Sequence, residues 1–253
     1  MSFQDKIQSA ALRNQTRTVL ALDLEDPDAS QLVKRSREVL ARVKDCICAV
    51  KVNRQLVLGL GLQRVADSIL KPASDLSLPT IMDAKLNDVG HTNEFMARTY
   101  FDAGFDAVIA SPTAGWKNGL DSVFETARSR NRGVLLLTYM SNPGAETFYA
   151  LTAKEEDGAE KPVFEIMTRL ALEWGAQGVV VGATKPHIIS RVRQLVGPIM
   201  PIYSPGVGAQ GGKPSEAVEA GATYLIVGRT IYAAPDPRAA ALSIRTPPNP
   251  LGV

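Results

Sequence analysis

Apolar positions along the chain fall into two alternating patterns. Short runs rich in β-branched and aliphatic residues, at 18–24, 47–52, 80–85, 107–110, 134–138, 178–181, 199–203 and 224–227, have the length and composition of buried strands. Between them, stretches such as 28–43, 92–103, 162–174 and 185–196 have the periodicity of helices packed by one face. A short amphipathic helix opens the chain, with Phe3, Ile7 and Ala11 at helical spacing. Eight strand candidates alternating with helices predict parallel βαβ units, and eight is the number that closes a barrel. A doubly wound open sheet satisfies the same alternation. No Pro/Gly/Ser-rich linker divides the chain, so residues 1–244 are expected to form one domain, followed by a loosely ordered tail at 245–253. The connection at 146–161 is unusually polar, with a charged core Lys154-Glu155-Glu156-Asp157. A solvated loop, with or without a short helix, accounts for it; part of a lid is the functional alternative.

Composition narrows the partners. With 45% hydrophobic residues the chain has ample material for a core, and its formal charge of +2 gives no electrostatic footprint for nucleic acid or a membrane surface. An anionic substrate must therefore be held by a local arrangement of donors. No apolar segment near residues 1–17 resembles a signal peptide, and none elsewhere approaches the length of a membrane span, which points to a cytoplasmic protein. Cys46 and Cys48 lie two apart, and a strand would place both on one face, a poor geometry for a bridge between them, so a reduced, buried pair is expected. With His91 and His187 as the only histidines, a structural zinc site lacks ligands, and no metal is expected. Capping, surface or packing roles suffice for both histidines, and packing for Trp116 and Trp174.

Polar residues gather where barrel enzymes keep their chemistry, at the C-terminal ends of strands. The first candidate strand ends in Asp23, the second in Lys51 and the third in Asp83 and Lys85, while the fifth runs into Ser141. Strand alternation puts Asp83 and Lys85 on one face, and Lys51 on the face of Ala49 and Ile47. Inward charges are costly unless they compensate one another, so three together indicate function more than any one alone. The seventh strand leads into Gly206-Val207-Gly208-Ala209-Gln210-Gly211, and the eighth into Gly228-Arg229. This G-x-G-x-x-G comes too late in the chain for a dinucleotide fold. Loops after strands seven and eight of a barrel commonly bind phosphate, so the motif is taken as a phosphate monoester site completed by Arg229.

The segment Asp83-Ala84-Lys85-Leu86-Asn87-Asp88-Val89-Gly90-His91-Thr92 resembles the D-x-K-x-x-D-[IV]-x-x-T signature of the orotidine 5′-monophosphate decarboxylase family. Leu20-Ala21-Leu22-Asp23, Val50-Lys51, Thr138-Tyr139-Met140-Ser141-Asn142-Pro143-Gly144, Ser204-Pro205-Gly206-Val207-Gly208-Ala209-Gln210-Gly211-Gly212 and Val227-Gly228-Arg229 are similar to its other conserved segments, in order. The resemblance implies a (βα)8 barrel, a cofactor-free carboxy-lyase and a homodimer with shared active sites. It implies that Lys85 protonates C6 of the pyrimidine as carbon dioxide leaves beside Asp83, and that Lys51 and Asp23 bind the ribose. It further implies that Ser141 contacts the base, that Pro205, Gln210, Gly228 and Arg229 surround the phosphate, and that Asp88, Val89 and Thr92 touch substrate, Asp88 and Thr92 from the neighbouring subunit. Sister enzymes of the superfamily share the Asp-x-Lys-x-x-Asp core but carry an acidic metal ligand near the second strand; Lys51-Val52-Asn53 stands there in this chain. A non-catalytic phosphate-binding scaffold is the alternative from another class, and retention of every expected catalytic position argues against it.

Overall fold

A computed structural model describes residues 1–155 and 158–248. Eight parallel strands close into a barrel in the order β1 (Thr18–Leu22), β10 (Tyr224–Val227), β9 (Ile202–Pro205), β8 (Val179–Val181), β5 (Gly133–Tyr139), β4 (Ala107–Ala110), β3 (Thr80–Leu86) and β2 (Ala49–Asn53). Closure settles the choice that alternation left open between barrel and open sheet. Every one of the predicted runs supplies a barrel strand, and those at 107–110 and 224–227 have the expected bounds. The first run stops two residues early, at Leu22, because Asp23 and Leu24 turn away from the ladder at the barrel mouth.

The predicted helices pack outside the strands. Asp28 caps the helix Ala29–Val43 by accepting the Ser30 N–H, and the helix buries Leu32, Val39, Leu40 and Val43. The opening helix, Phe3–Asn14, begins with a reciprocal cap between Ser2 and Asp5 and buries Phe3, Ile7, Ala10 and Ala11. It closes the floor of the barrel, where Phe3 stacks on Tyr203 and Tyr203 on Tyr224. Gly178 is needed there: a Cβ on it would lie 2.5 Å from the Tyr203 ring.

The floor also carries a charged cluster. Asp106 is buried and accepts from Lys6 and Arg132 at 2.6 Å each, and from the Thr80 N–H at 2.9 Å. Polar networks at this end of a barrel serve stability. Asp106→Asn leaves two cations without their counter-charge, and is expected to cost about 3 kcal/mol of unfolding free energy, read from urea midpoints.

The polar connection at 146–161 takes up more structure than a loop. It forms a short helix, Glu146–Tyr149, and its strand β6 (Thr152–Lys154) pairs antiparallel with β7 (Glu160–Pro162). Glu155 bonds Arg169 and lies 3.2 Å from Lys161; Glu156 and Asp157 of its expected charged core lie outside the described residues. At the other end, Arg245 donates to the Gln15 and Asn14 carbonyls at 2.7 and 2.8 Å, and the Arg17 N–H to the Thr246 carbonyl. The rest of the tail, 249–253, lies outside the described residues. No helix among the described residues is long and apolar enough to cross a membrane. Both cysteines are buried free thiols, and burial pushes the Cys48 thiol well up.

Candidate active site

The C-terminal ends of β1, β2 and β3 place four of the expected residues in contact. Parallel register sets Ala21 beside Lys51 and Asn53 beside Asp83, so side chains from neighbouring strands converge at one level of the barrel mouth. Asp83 bridges two lysines, one on each oxygen: Lys51 Nζ is 2.9 Å from Oδ2 and Lys85 Nζ is 2.6 Å from Oδ1. Lys51 also reaches Asp23 at 3.4 Å. The result is a line of alternating charge, Asp23, Lys51, Asp83, Lys85.

Burial alone would favour the neutral forms, but the partners outweigh it. Desolvation pushes Asp83 up, yet Lys51 and Lys85 hold it down at about 2, against an ordinary 3.8. Desolvation likewise pulls Lys51 down, and Asp83 and Asp23 raise it above its usual 10.5. A carboxyl whose folded pKa is depressed adds stability that is complete above its unfolded pKa and lost as pH falls through the folded value. For Asp83 that window runs from 3.8 down to about 2. Asp83→Asn is expected to flatten the acid limb of stability against pH there, removing about 2 kcal/mol of its drop, as measured by urea denaturation. An unchanged limb would show that Asp83 is not so held.

Simple alternation predicted Asp83 and Lys85 on one face; the structure reaches that outcome differently. Met82 pairs with Val108 and Leu86 with Ala110, so β3 spends four residues where β4 spends two. The strand bulges, and Lys85 takes a left-handed backbone with φ of 48°. Such a conformation costs a side-chain-bearing residue on the order of 1 kcal/mol and persists where the surroundings enforce it. Here it turns the ammonium group onto Asp83.

Asp23, Lys51, Asp83 and Lys85 share one cavity of about 610 Å³ with Ser141, Pro205, Gln210, Gly228 and Arg229. The loop after β9 is tightly folded. The N–H groups of Gly208, Gly211 and Gly212 bond within it, and that of Ala209 bonds Thr230. Gly208, with φ of 74°, lies so close to Thr230 that an added Cβ would be 2.2 Å from its hydroxyl. Many of the backbone donors that the glycines suggested for an anion are therefore committed inside the loop. The Arg229 and Gln210 side chains have no hydrogen-bond or ion-pair partner among the described residues, and both face the cavity. Gln210 and Ser141 flank Gly206, where a Cβ would meet Ser141 Cβ at 2.9 Å and Gln210 Oε1 at 3.0 Å.

Asp88, Val89 and Thr92 stand apart from this cavity. Asn93 clamps the turn that presents them, with its amide on the Asp88 carbonyl at 2.5 Å and the Gly119 carbonyl at 3.0 Å, while accepting the Asp88 N–H. The Asp88 carboxylate accepts the Val89 N–H and meets no cation among the described residues. Thr92, His91, Glu94, Phe95 and Arg98 line a shallow outer depression, with Phe95 61% exposed and Val89 50% exposed. His187 is exposed on the helix Pro186–Val196, and Trp116 packs on Trp174 and Phe124.

Sequence reasoning did not single out Glu25, Arg35, Gln55 or Tyr232, all of which line the cavity. They come from loops and from helix positions whose direction follows from barrel closure. Asn93 carried a weak signal, a short polar side chain just inside a helix start, where such residues bond nearby backbone.

Residues 16–244 match the family model described as Orotidine 5'-phosphate decarboxylase / HUMPS family. An orotidine 5'-phosphate decarboxylase of Methanosarcina acetivorans is 35% identical over 92% of this chain and 95% of its own. The crystal structure of orotidine 5'-monophosphate decarboxylase from Methanocaldococcus jannaschii, complexed with the inhibitor BMP, has a TM-score of 0.74 at 27% identity, covering 90% of this chain and 96% of that one. The structure of Leishmania donovani UMP synthase has a TM-score of 0.84 at 27% identity over 96% of this chain; the match spans about half, 55%, of that longer protein. With the barrel, the charged line at its mouth and a family match over most of its length, this chain belongs to the orotidine 5'-phosphate decarboxylase / HUMPS family.

Proposed function

We propose that the chain decarboxylates orotidine 5′-monophosphate to uridine 5′-monophosphate without a cofactor. The observation that carries this reading is Asp83 held between Lys51 and Lys85 in the same cavity as Arg229. With the phosphate gripped by Arg229 and Gln210 and the ribose by Asp23 and Lys51, the pyrimidine lies over Lys85 and its carboxylate beside Asp83. Pro205 and Gly228 border the phosphate, and Ser141 meets the base. The bond from C6 to the carboxylate breaks, carbon dioxide leaves, and the electron pair stays on C6. Lys85 stabilises that charge and then transfers an Nζ proton to it, so UMP forms and the lysine regains a proton from solvent. The carbanion is not delocalised into the ring, so preorganised charge has to supply an acceleration of roughly 10¹⁷-fold, near the upper end for enzymes.

The same reading makes the enzyme a cytoplasmic homodimer. Asp88 and Thr92 reach the site of the neighbouring subunit and touch its ribose, and Val89, beside them, touches substrate. Their separation from the chain's own cavity supports it, as does the exposed apolar surface of Val89 and Phe95 around them.

The test is to mix purified protein with orotidine 5′-monophosphate and a chelator, following ultraviolet absorbance and UMP. Conversion at the same rate with and without chelator is expected. No conversion would sink the proposal, and loss of activity on chelation would favour a metal-dependent sister chemistry.

A further inference from the structure

The wall of the cavity beside Arg229 holds a second guanidinium that the mechanism above leaves unused. Arg35 extends from the helix Ala29–Val43 and lines the same cavity as Gly228, Arg229 and Tyr232. This wall is continuous. A Cβ on Gly228 would lie 3.3 Å from the Ala21 carbonyl oxygen and 3.4 Å from the Tyr232 ring. The Tyr232 hydroxyl donates to the Asp23 carbonyl at 3.3 Å, and two residues further on the Glu25 carbonyl accepts from Arg35 at 3.5 Å. Burial, Asp23 and Glu25 raise the Tyr232 hydroxyl on balance, against the opposing pull of Arg229 and Arg35.

Little holds Arg35 where it is. Its ion pair with Asp26 is 3.4 Å long and its side chain is 45% exposed, so both contacts sit at the weak end of their kind. A phosphate monoester carries close to two negative charges at neutral pH, and Arg229 supplies one positive charge. Lys51 and Lys85 are both engaged by Asp83. Among the described residues, Arg35 is the remaining cation lining the cavity.

We propose that Arg35 leaves Asp26 when substrate binds and becomes the second cation of the phosphate site, facing the 5′-phosphate together with Arg229. This rests on the assignment of the phosphate end made above. Arg35 is a binding residue: it grips a group that does not change in the reaction, so its loss falls on KM and leaves kcat in place.

The experiment compares Arg35→Gln, Arg35→Lys and Lys34→Gln with the parent, by calorimetric titration with UMP and with uridine and by steady-state turnover of orotidine 5′-monophosphate. Arg35→Gln is expected to weaken UMP about tenfold, the value of one charge-assisted contact, and to raise KM similarly with kcat nearly unchanged. Uridine affinity should stay as in the parent, and Arg35→Lys should recover part of the loss. Lys34 carries the same charge one residue away but does not line the cavity, so Lys34→Gln should leave UMP affinity unchanged. The UMP titration reads Arg35 even if the parent shows no turnover, so failure of the decarboxylase reading and failure of this one are separable. UMP affinity in Arg35→Gln within about twofold of the parent would overturn the proposal. So would an equal loss in Lys34→Gln, which would reduce the effect to the protein's long-range field.

Discussion

Lys85→Ala is expected to lower kcat by at least about 10⁴-fold while the protein stays folded, because in the proposed mechanism one ammonium group both stabilises the developing carbanion and supplies its proton. The two contributions come from the same atom, so no neighbour takes over either. Lys51 cannot substitute: it is buried at 4% exposure and tied to Asp83 and Asp23 on the side of the cavity given to the ribose. The substitution removes a partner from Asp83 but leaves Lys51 on its other oxygen, which keeps the carboxylate compensated. Circular dichroism and a urea midpoint would show that the barrel persists, and single-turnover kinetics would read the chemical step. Activity within about a hundredfold of the parent would remove Lys85 from the proton transfer.

Mixing two inactive variants should restore activity. In the proposed shared-site dimer, Lys85→Ala lacks the proton donor and Asp88→Ala lacks the group assigned to the neighbouring site, so each variant dimer has two damaged sites. In a hybrid dimer one site carries both defects and the other carries neither. Random exchange therefore returns about a quarter of the parent's active sites, against almost none in either variant alone. Native mass spectrometry would establish that hybrids formed. No recovery in their presence would put Asp88 to work within its own subunit and contradict the shared site. The geometry behind this expectation is the Asn93 clamp, which holds the Asp88 turn away from the cavity of its own chain.

The strands were legible because each is a short apolar run buried on both sides, a pattern that survives without tertiary information. The helices were legible from amphipathic spacing and from caps such as Asp28. The charged centre was legible for a related reason: a charge at the end of an apolar strand is costly, so Asp23, Lys51, Asp83 and Lys85 stand out against their surroundings. The bulge that turns Lys85 was not legible, because it depends on how β3 registers against β4, two strands that share no local signal. Nor was the self-closure of the Gly206–Gly212 loop, where a glycine pattern suggests donors without saying which of them the fold consumes. Arg35 was not singled out, because a helix charge lines the mouth only once closure sets its helix there.

Local chemistry, then, carried the identity of the elements, the end of the barrel that holds the polar residues, and the residue types proposed for a phosphate monoester and a proton donor. Those follow from burial cost and periodicity, which act over a few neighbouring residues. Which charges pair, which donors remain free, and on which side of the wall Asp88 stands were set by closure of the strands into a ring. Closure joins positions as distant as Ala21 and Gly228, and the energies that fix Asp83 between two lysines exist only once those strands lie side by side.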